Sequence, residues 1–188
     1  SQRTGILPAE AMTLAEALQA AGYRTGGFIS NPWIGGDYGF AQGFEHYDES
    51  GAATWVAADV VIGSARAWIE SLPPDEPFFA YLHFMDTHVP YNAPEEFTEI
   101  FRLRDNLHFQ SGQFETLQVR ILTYLGLSPQ DKLDIQSLYD AAIRTFDRHF
   151  GRLLQRLEEL EQLENTIIIL LADHGEEFWE HGGFAHGH

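Results

Sequence analysis

The chain has 188 residues, 44% of them apolar and 13% aromatic, enough for one globular domain with a sizeable core. Its 28 acidic against 11 basic groups leave a formal net charge of −17, which argues against a nucleic-acid surface, because phosphate binding needs clustered lysine and arginine. There is no cysteine, so disulfides and thiolate zinc sites are excluded, and no apolar run approaches the roughly 20 residues of a membrane helix.

Residues 13–21 predict a short amphipathic helix, with Thr13 as N-cap, Glu16 three positions later, and Leu14, Ala17, Leu18 and Ala21 on one face. Gly22 ends it. A strand through GGFISN follows, then a glycine-rich loop from Asn31-Pro32 whose Trp33, Tyr38, Phe40, Phe44 and Tyr47 read as a packed plug rather than a binding platform. Residues 53–72 carry Val56, Val60, Ile62, Ala67, Trp68, Ile69 and Leu72 at near-helical spacing, closed by Pro73-Pro74. PFFAYLHFM, opened by Pro77, has the composition of a buried strand and runs into Asp86, Thr87 and His88. Residues 92–130 have no readable chemistry beyond a short helix over 95–104. From Pro129 to Glu164 runs the longest helical pattern, its stripe made of Leu133, Leu138, Ala142, Phe146, Phe150, Leu153, Leu157 and Leu160, with Glu158, Glu159, Glu161 and Glu164 on a solvated face.

The last stretch carries the strongest signal. Ile167 to Ala172 is a continuous aliphatic run of the kind buried on both faces of a parallel sheet, and it leads straight into Asp173-His174-Gly175-Glu176. In open α/β sheets ligands sit beyond the carboxyl ends of strands, where Asp173 and His174 are the first polar side chains. Glu177, His181, His186 and His188 follow within a short, glycine-rich loop. Asp173 and His174 offer a hard carboxylate oxygen and an imidazole nitrogen, a mixture open to Zn, Mn, Mg or Ca. The pattern equally allows Asp173 to cap a following turn beside a half-buried histidine. His88 and His186 are candidates to hold an oxyanion or protonate a leaving oxygen, or else loop imidazoles bonded to backbone. His83, inside its strand, ranks lower, and His108 and His149 have no supporting context.

Four segments, in order, resemble the sulfatase family of the alkaline phosphatase superfamily: TLAEALQAAGYRT, GFAQGFEHYDE, PFFAYLHFMDTHVPY and NTIIILLADHGEEFWEHG. The resemblance covers nearly the whole chain. It implies a three-layer α/β/α sandwich with a central, mostly parallel sheet, of which residues 1–188 would be the central portion of the catalytic domain, truncated at both ends. It further implies hydrolysis of a sulfate ester, on a small molecule or a glycan, by a formylglycine made from Cys or Ser. The cofactor is a divalent metal, Ca²⁺ in the first place, with Mg²⁺ or Mn²⁺ as alternatives. Residue by residue, Asp173 and His174 match the late pair of metal ligands, and His88 matches the histidine that contacts the sulfate and assists the leaving group. His186 falls where a downstream basic group, often lysine, contacts the transferred anion, and His188 competes with it for that role.

Two departures accompany the resemblance. The family's paired N-terminal aspartates and its C/S-x-P-S-R nucleophile string match nothing in this chain. These 188 residues alone are therefore expected not to turn over sulfate esters. A metal-dependent phosphodiesterase, or a transferase of phosphoglycerol or phosphoethanolamine groups, would share the Asp-His pair, and an inactive anion-binding homologue is the reading from another class. No nucleic-acid partner and no membrane segment is expected, and the sequence gives no compartment.

Overall fold

The computed structural model describes residues 5–52, 57–101 and 126–186. The chain divides into two compact units, Ser1–Met85 and Asp86–His188.

In the first unit, helix α1 (Leu14–Ala20) begins at a complete capping box. The Glu16 amide donates to Thr13 Oγ1 at 3.1 Å, and the Thr13 amide donates to the Glu16 carboxylate at 2.8 Å. The face expected to be buried is not the one that is: Leu14 and Ala17 are exposed, and Ala15 is the buried residue. The cause is Gly43, whose missing Cβ lets the loop touch the backbone of Ala15 and Glu16; a methyl there would lie 2.2 Å from the Glu16 nitrogen.

Strand β1 (Arg24–Phe28) lies between β2 (His46–Asp48) and β3 (Phe78–Leu82), all parallel, with Gly26 opposite His46 and Ala80. Alternate β1 residues serve two different layers. Phe28 packs with Val61, Ala65 and Trp68 of helix α2 (Ala58–Ser71). On the opposite face Tyr47 and Phe44 occupy the space a Cβ on Gly27 would need, the nearest ring carbon being 2.4 Å from that point. Phe44 also stacks on Phe79, so this pair forms the expected plug, whereas Trp33 and Phe40 of the same loop stand in solvent.

Two readings need correction here. β2 falls in a stretch expected to be loop. β3 is half-buried rather than buried, with Tyr81 exposed, because among the described residues only β1 pairs with it. Val56 and the start of the expected 53–72 helix lie outside the described residues.

The second unit is built on helix α4 (Pro129–Glu159), preceded by the short α3 (Glu95–Ile100) that packs against it. Ser128 and Asp131 make a second capping box, and Pro129 takes the first turn, where no amide is needed. The helix stops five residues short of the expected Glu164. Glu161 adopts a left-handed conformation (φ 57°), and the Gln162 amide reaches back to the Leu157 carbonyl at 2.9 Å, a Schellman closure. Along α4, Ile135, Leu138, Ala141, Ala142, Leu153 and Leu157 are buried, while Leu133 is exposed. Glu158, Glu159, Glu161 and Glu164 face solvent, as read from the charge pattern. The remainder of the expected 95–104 helix and most of the unreadable 92–130 stretch fall outside the described residues.

The largest departure is the aliphatic run itself. Residues 166–172 belong to no ladder among the described residues, and Ile167, Ile169 and Leu171 are 87%, 72% and 84% exposed. Among the described residues no strand shares the run's amides and carbonyls, and its side chains stay exposed. No helix among the described residues is long and apolar enough to cross a membrane.

Candidate active site

Three stretches of the second unit meet over the first half of α4. Residues 89–91 supply Val89 and Tyr91, the chain end supplies Phe184 and Ala185, and the helix supplies Ile135, Leu138 and Ala142 to one apolar cluster. The chain end is itself a small antiparallel hairpin of β4 (Glu177–Phe178) and β5 (Phe184–Ala185). Glu177 closes the hairpin from within, one carboxylate oxygen accepting the His181 and Gly183 amides at 2.8 Å each. Phe178 and Trp179 pack Phe184 at 5.9 and 5.0 Å between ring centroids. Apolar packing thus fixes the residues on either side of the polar ones: Val89 and Tyr91 beside His88, and Ala185 beside His186.

The polar residues then converge. The His88 and His186 rings sit 4.9 Å apart, edge to face, and the His186 and His174 rings 4.3 Å apart. Glu176, whose side chain is only 6% exposed, lies beneath them. One of its carboxylate oxygens meets His186 Nδ1 in a short hydrogen bond, and the other accepts the Tyr91 hydroxyl at 2.7 Å. Tyr91 is wholly buried, and burial together with the Glu176 carboxylate pushes its phenol far above the ordinary range, so it stays a donor.

Hydrogen bonding also orients the other imidazoles. Nδ1 of His88 lies 2.6 Å from the Val89 carbonyl, and Nδ1 of His174 lies 3.1 Å from the Gly175 carbonyl. A carbonyl oxygen can only accept, so both Nδ1 atoms carry a proton and the neutral rings keep their lone pair at Nε2. His88 thus makes the backbone hydrogen bond of the bland, loop-histidine reading.

Of the residues singled out in the sequence, His88, His174 and His186 lie in one cluster. Asp173 stands beside His174, its carboxylate 3.7 Å from His174 Nε2 and 83% exposed, and it accepts the His174 amide at 3.0 Å. No helix follows Asp173 among the described residues, so it caps none. His181 is 89% exposed and Glu177 is spent on the hairpin backbone. His149 is buried on α4, and His108 and His188 lie outside the described residues. Two residues were missed: Glu176 and Tyr91. Both stood in the motifs quoted, DHGE and THVPY, but nothing in a sequence marks a loop carboxylate as buried.

Two donor sets can be drawn for a cation. Asp173 and His174 offer an exposed carboxylate and an Nε2 left open by its backbone-bonded Nδ1, the arrangement found behind metal-bound histidines. His174, Glu176 and His186 offer ligand atoms within 4.8 Å of one another, but both Glu176 oxygens are already engaged.

The sulfatase family model matches residues 1–188. The chain belongs to the sulfatase family. It is 30% identical over 193 aligned residues to an ulvan-active sulfatase of Formosa agariphila, covering 90% of this chain and 29% of that relative. Similarity to an arylsulfatase of Klebsiella aerogenes is 27% over 134 residues, covering 58% of this chain and 28% of the relative. For human iduronate 2-sulfatase the identity is 29% over 129 residues, with 58% and 24% covered. The chain thus spans under a third of the length of these sulfatases. Among solved structures, the phosphonate monoester hydrolase of Agrobacterium radiobacter superposes with a TM-score of 0.68 at 18% identity, over 98% of this chain and 51% of that one. The chain accordingly shares the α/β fold of that hydrolase, in keeping with the α/β reading of the motifs.

Proposed function

We propose that this chain is the central portion of a sulfatase catalytic domain and supplies late metal ligands and anion contacts for hydrolysis of a sulfate ester. Asp173 and His174 would hold the divalent cation, Ca²⁺ first and Mg²⁺ or Mn²⁺ as alternatives; when bound, it supplies positive charge beside the sulfate oxygens. A small-molecule or glycan sulfate ester is the substrate class, in keeping with the names of the relatives.

The observation that carries this reading is the packing of the His88, His174 and His186 rings over one buried carboxylate. On a chain of net charge −17, a site for an anion needs local donors that outweigh the surrounding field. His88 and His186 each keep Nδ1 engaged, so Nε2 is the atom at which each can take up a proton, donate it to an ester oxygen, or hold an oxyanion. Val89, Tyr91 and Ala185, buried beside them, keep both rings in place.

The test is turnover of nitrophenyl sulfate by the protein at the full length of its relatives. His88→Ala and His186→Ala should each lower kcat by about 10²-fold or more, the usual weight of a positioned acid or base. Full activity in both variants would remove the imidazoles from the reaction. Nitrophenyl phosphodiester turnover exceeding that of the sulfate would assign the site to phosphoryl chemistry, and sulfate binding without turnover of either would make it a binding module.

A further inference from the structure

We propose that Tyr91 and Glu176 are positioning residues that hold His186 in its Nδ1–H tautomer. The inference rests on the reading of His186 as an anion contact, and its structural half can be tested without that reading. The Tyr91 hydroxyl donates to one Glu176 oxygen at 2.7 Å, and His186 Nδ1 meets the other. Tyr91 is 0% exposed and the Glu176 side chain 6%, while His186 is 30% exposed, so the relay runs from the apolar cluster on α4 outward to an accessible ring.

The chemistry of the three groups fixes the direction. The Tyr91 phenol, held far above its ordinary range by burial and by Glu176, keeps its proton and donates it to Glu176. With the Tyr91 hydroxyl donating to one oxygen, the carboxylate group accepts at the other as well, and the proton between Glu176 and His186 is placed on Nδ1. A free imidazole in water favours the proton on Nε2; the carboxylate reverses that preference and leaves Nε2 as the one nitrogen available for outside chemistry. Without Tyr91, Glu176 would have one buried oxygen unpaired and reason to turn away from the ring.

The same geometry argues against Glu176 as a metal ligand despite its nearness to His174 and His186. Each of its oxygens already accepts a hydrogen bond, which leaves a single lone pair on each to offer a cation. Neighbours of a reacting imidazole commonly act in this indirect way, with losses of about 10–100-fold on mutation where the imidazole binds a metal.

The experiment is long-range ¹H–¹⁵N correlation on ¹⁵N-histidine-labelled protein, with kinetics alongside. In the wild type, with the ring neutral, the His186 Nδ1 should resonate as a protonated nitrogen and its Nε2 as an unprotonated one. Glu176→Ala should move the ring to the Nε2–H tautomer. Should that variant fail to fold because the Tyr91 hydroxyl is stranded, the double variant Tyr91→Phe with Glu176→Ala removes both buried polar partners and should show the same tautomer change. Glu176→Gln should lower kcat for nitrophenyl sulfate about 10–100-fold with KM within about threefold, and leave Ca²⁺ affinity within about threefold. A wild-type His186 already in the Nε2–H form, or an Nδ1–H form that survives loss of the carboxylate, would overturn the proposal. So would a tenfold or greater drop in Ca²⁺ affinity in Glu176→Gln, which would make Glu176 a ligand. If the tautomer shifts as stated but His186→Ala leaves turnover intact, the positioning stands and the anion-contact reading falls.

Discussion

Strand β1 and the run Ile167–Leu171 are both five-residue segments in stretches that the sequence marks as strands, and they end in opposite surroundings. In and just beyond β1, Thr25, Phe28 and Ile29 are 0%, 1% and 2% exposed, with a parallel neighbour on each side and α2 across one face. In the other segment every residue is at least 41% exposed and no described strand lies alongside. Aliphatic and β-branched composition declares that a segment needs cover, whereas cover itself comes from elsewhere in the chain. β1, with two glycines and an arginine, is the less apolar of the two and the better buried.

That contrast can be sharpened by mutation, starting where the loss should be greatest. Phe28→Ala removes a ring packed against Val61, Ala65 and Trp68 and should cost about 3–5 kcal/mol in urea unfolding. A loss under about 1 kcal/mol would mean that the α2 contact does not hold the first unit together. Leu138→Ala, 2% exposed beneath the hairpin and Tyr91, should cost about 2–5 kcal/mol and also broaden the His186 resonances. Gly27→Ala should lower the urea midpoint measurably, since a methyl there meets the Tyr47 ring at 2.4 Å, and the double variant with Tyr47→Ala should lose less than the sum of the two. At the other extreme, Ile169→Ala should change stability by no more than about 0.5 kcal/mol. The exposed run should announce itself instead in association. Ile169→Lys with Leu171→Lys should shift residues 1–188 toward monomer in light scattering, because contiguous exposed apolar surface drives assembly. Equal self-association with and without the lysines would show that the patch is already covered.

The same distinction explains how much of the molecule could be read in advance. Thr13 with Glu16 gave the start of α1, Pro73-Pro74 bounded α2, and the apolar stripe through Leu138, Ala142, Leu153 and Leu157 gave α4, since caps, prolines and helical spacing act within a few residues. β2 was illegible because His46-Tyr47-Asp48 has no strand pattern of its own and pairs only because β1 lies beside it. Ala15 replaced the expected face of α1 because Gly43, 28 positions on, approaches the helix backbone there. At the site, Asp173, His174, His88 and His186 could be named from motifs. Glu176 and Tyr91 could not be given roles, because an exposure of only 6% at one and 0% at the other is created by the hairpin packing on α4.

The most direct test of the account is calorimetric titration of Ca²⁺ into the protein at the full length of its relatives, wild type against Asp173→Ala and His174→Ala. The account predicts a loss of affinity of at least tenfold in each variant. Affinity unchanged in both would place the cation elsewhere and contradict the assignment of this loop as half of a metal and anion site.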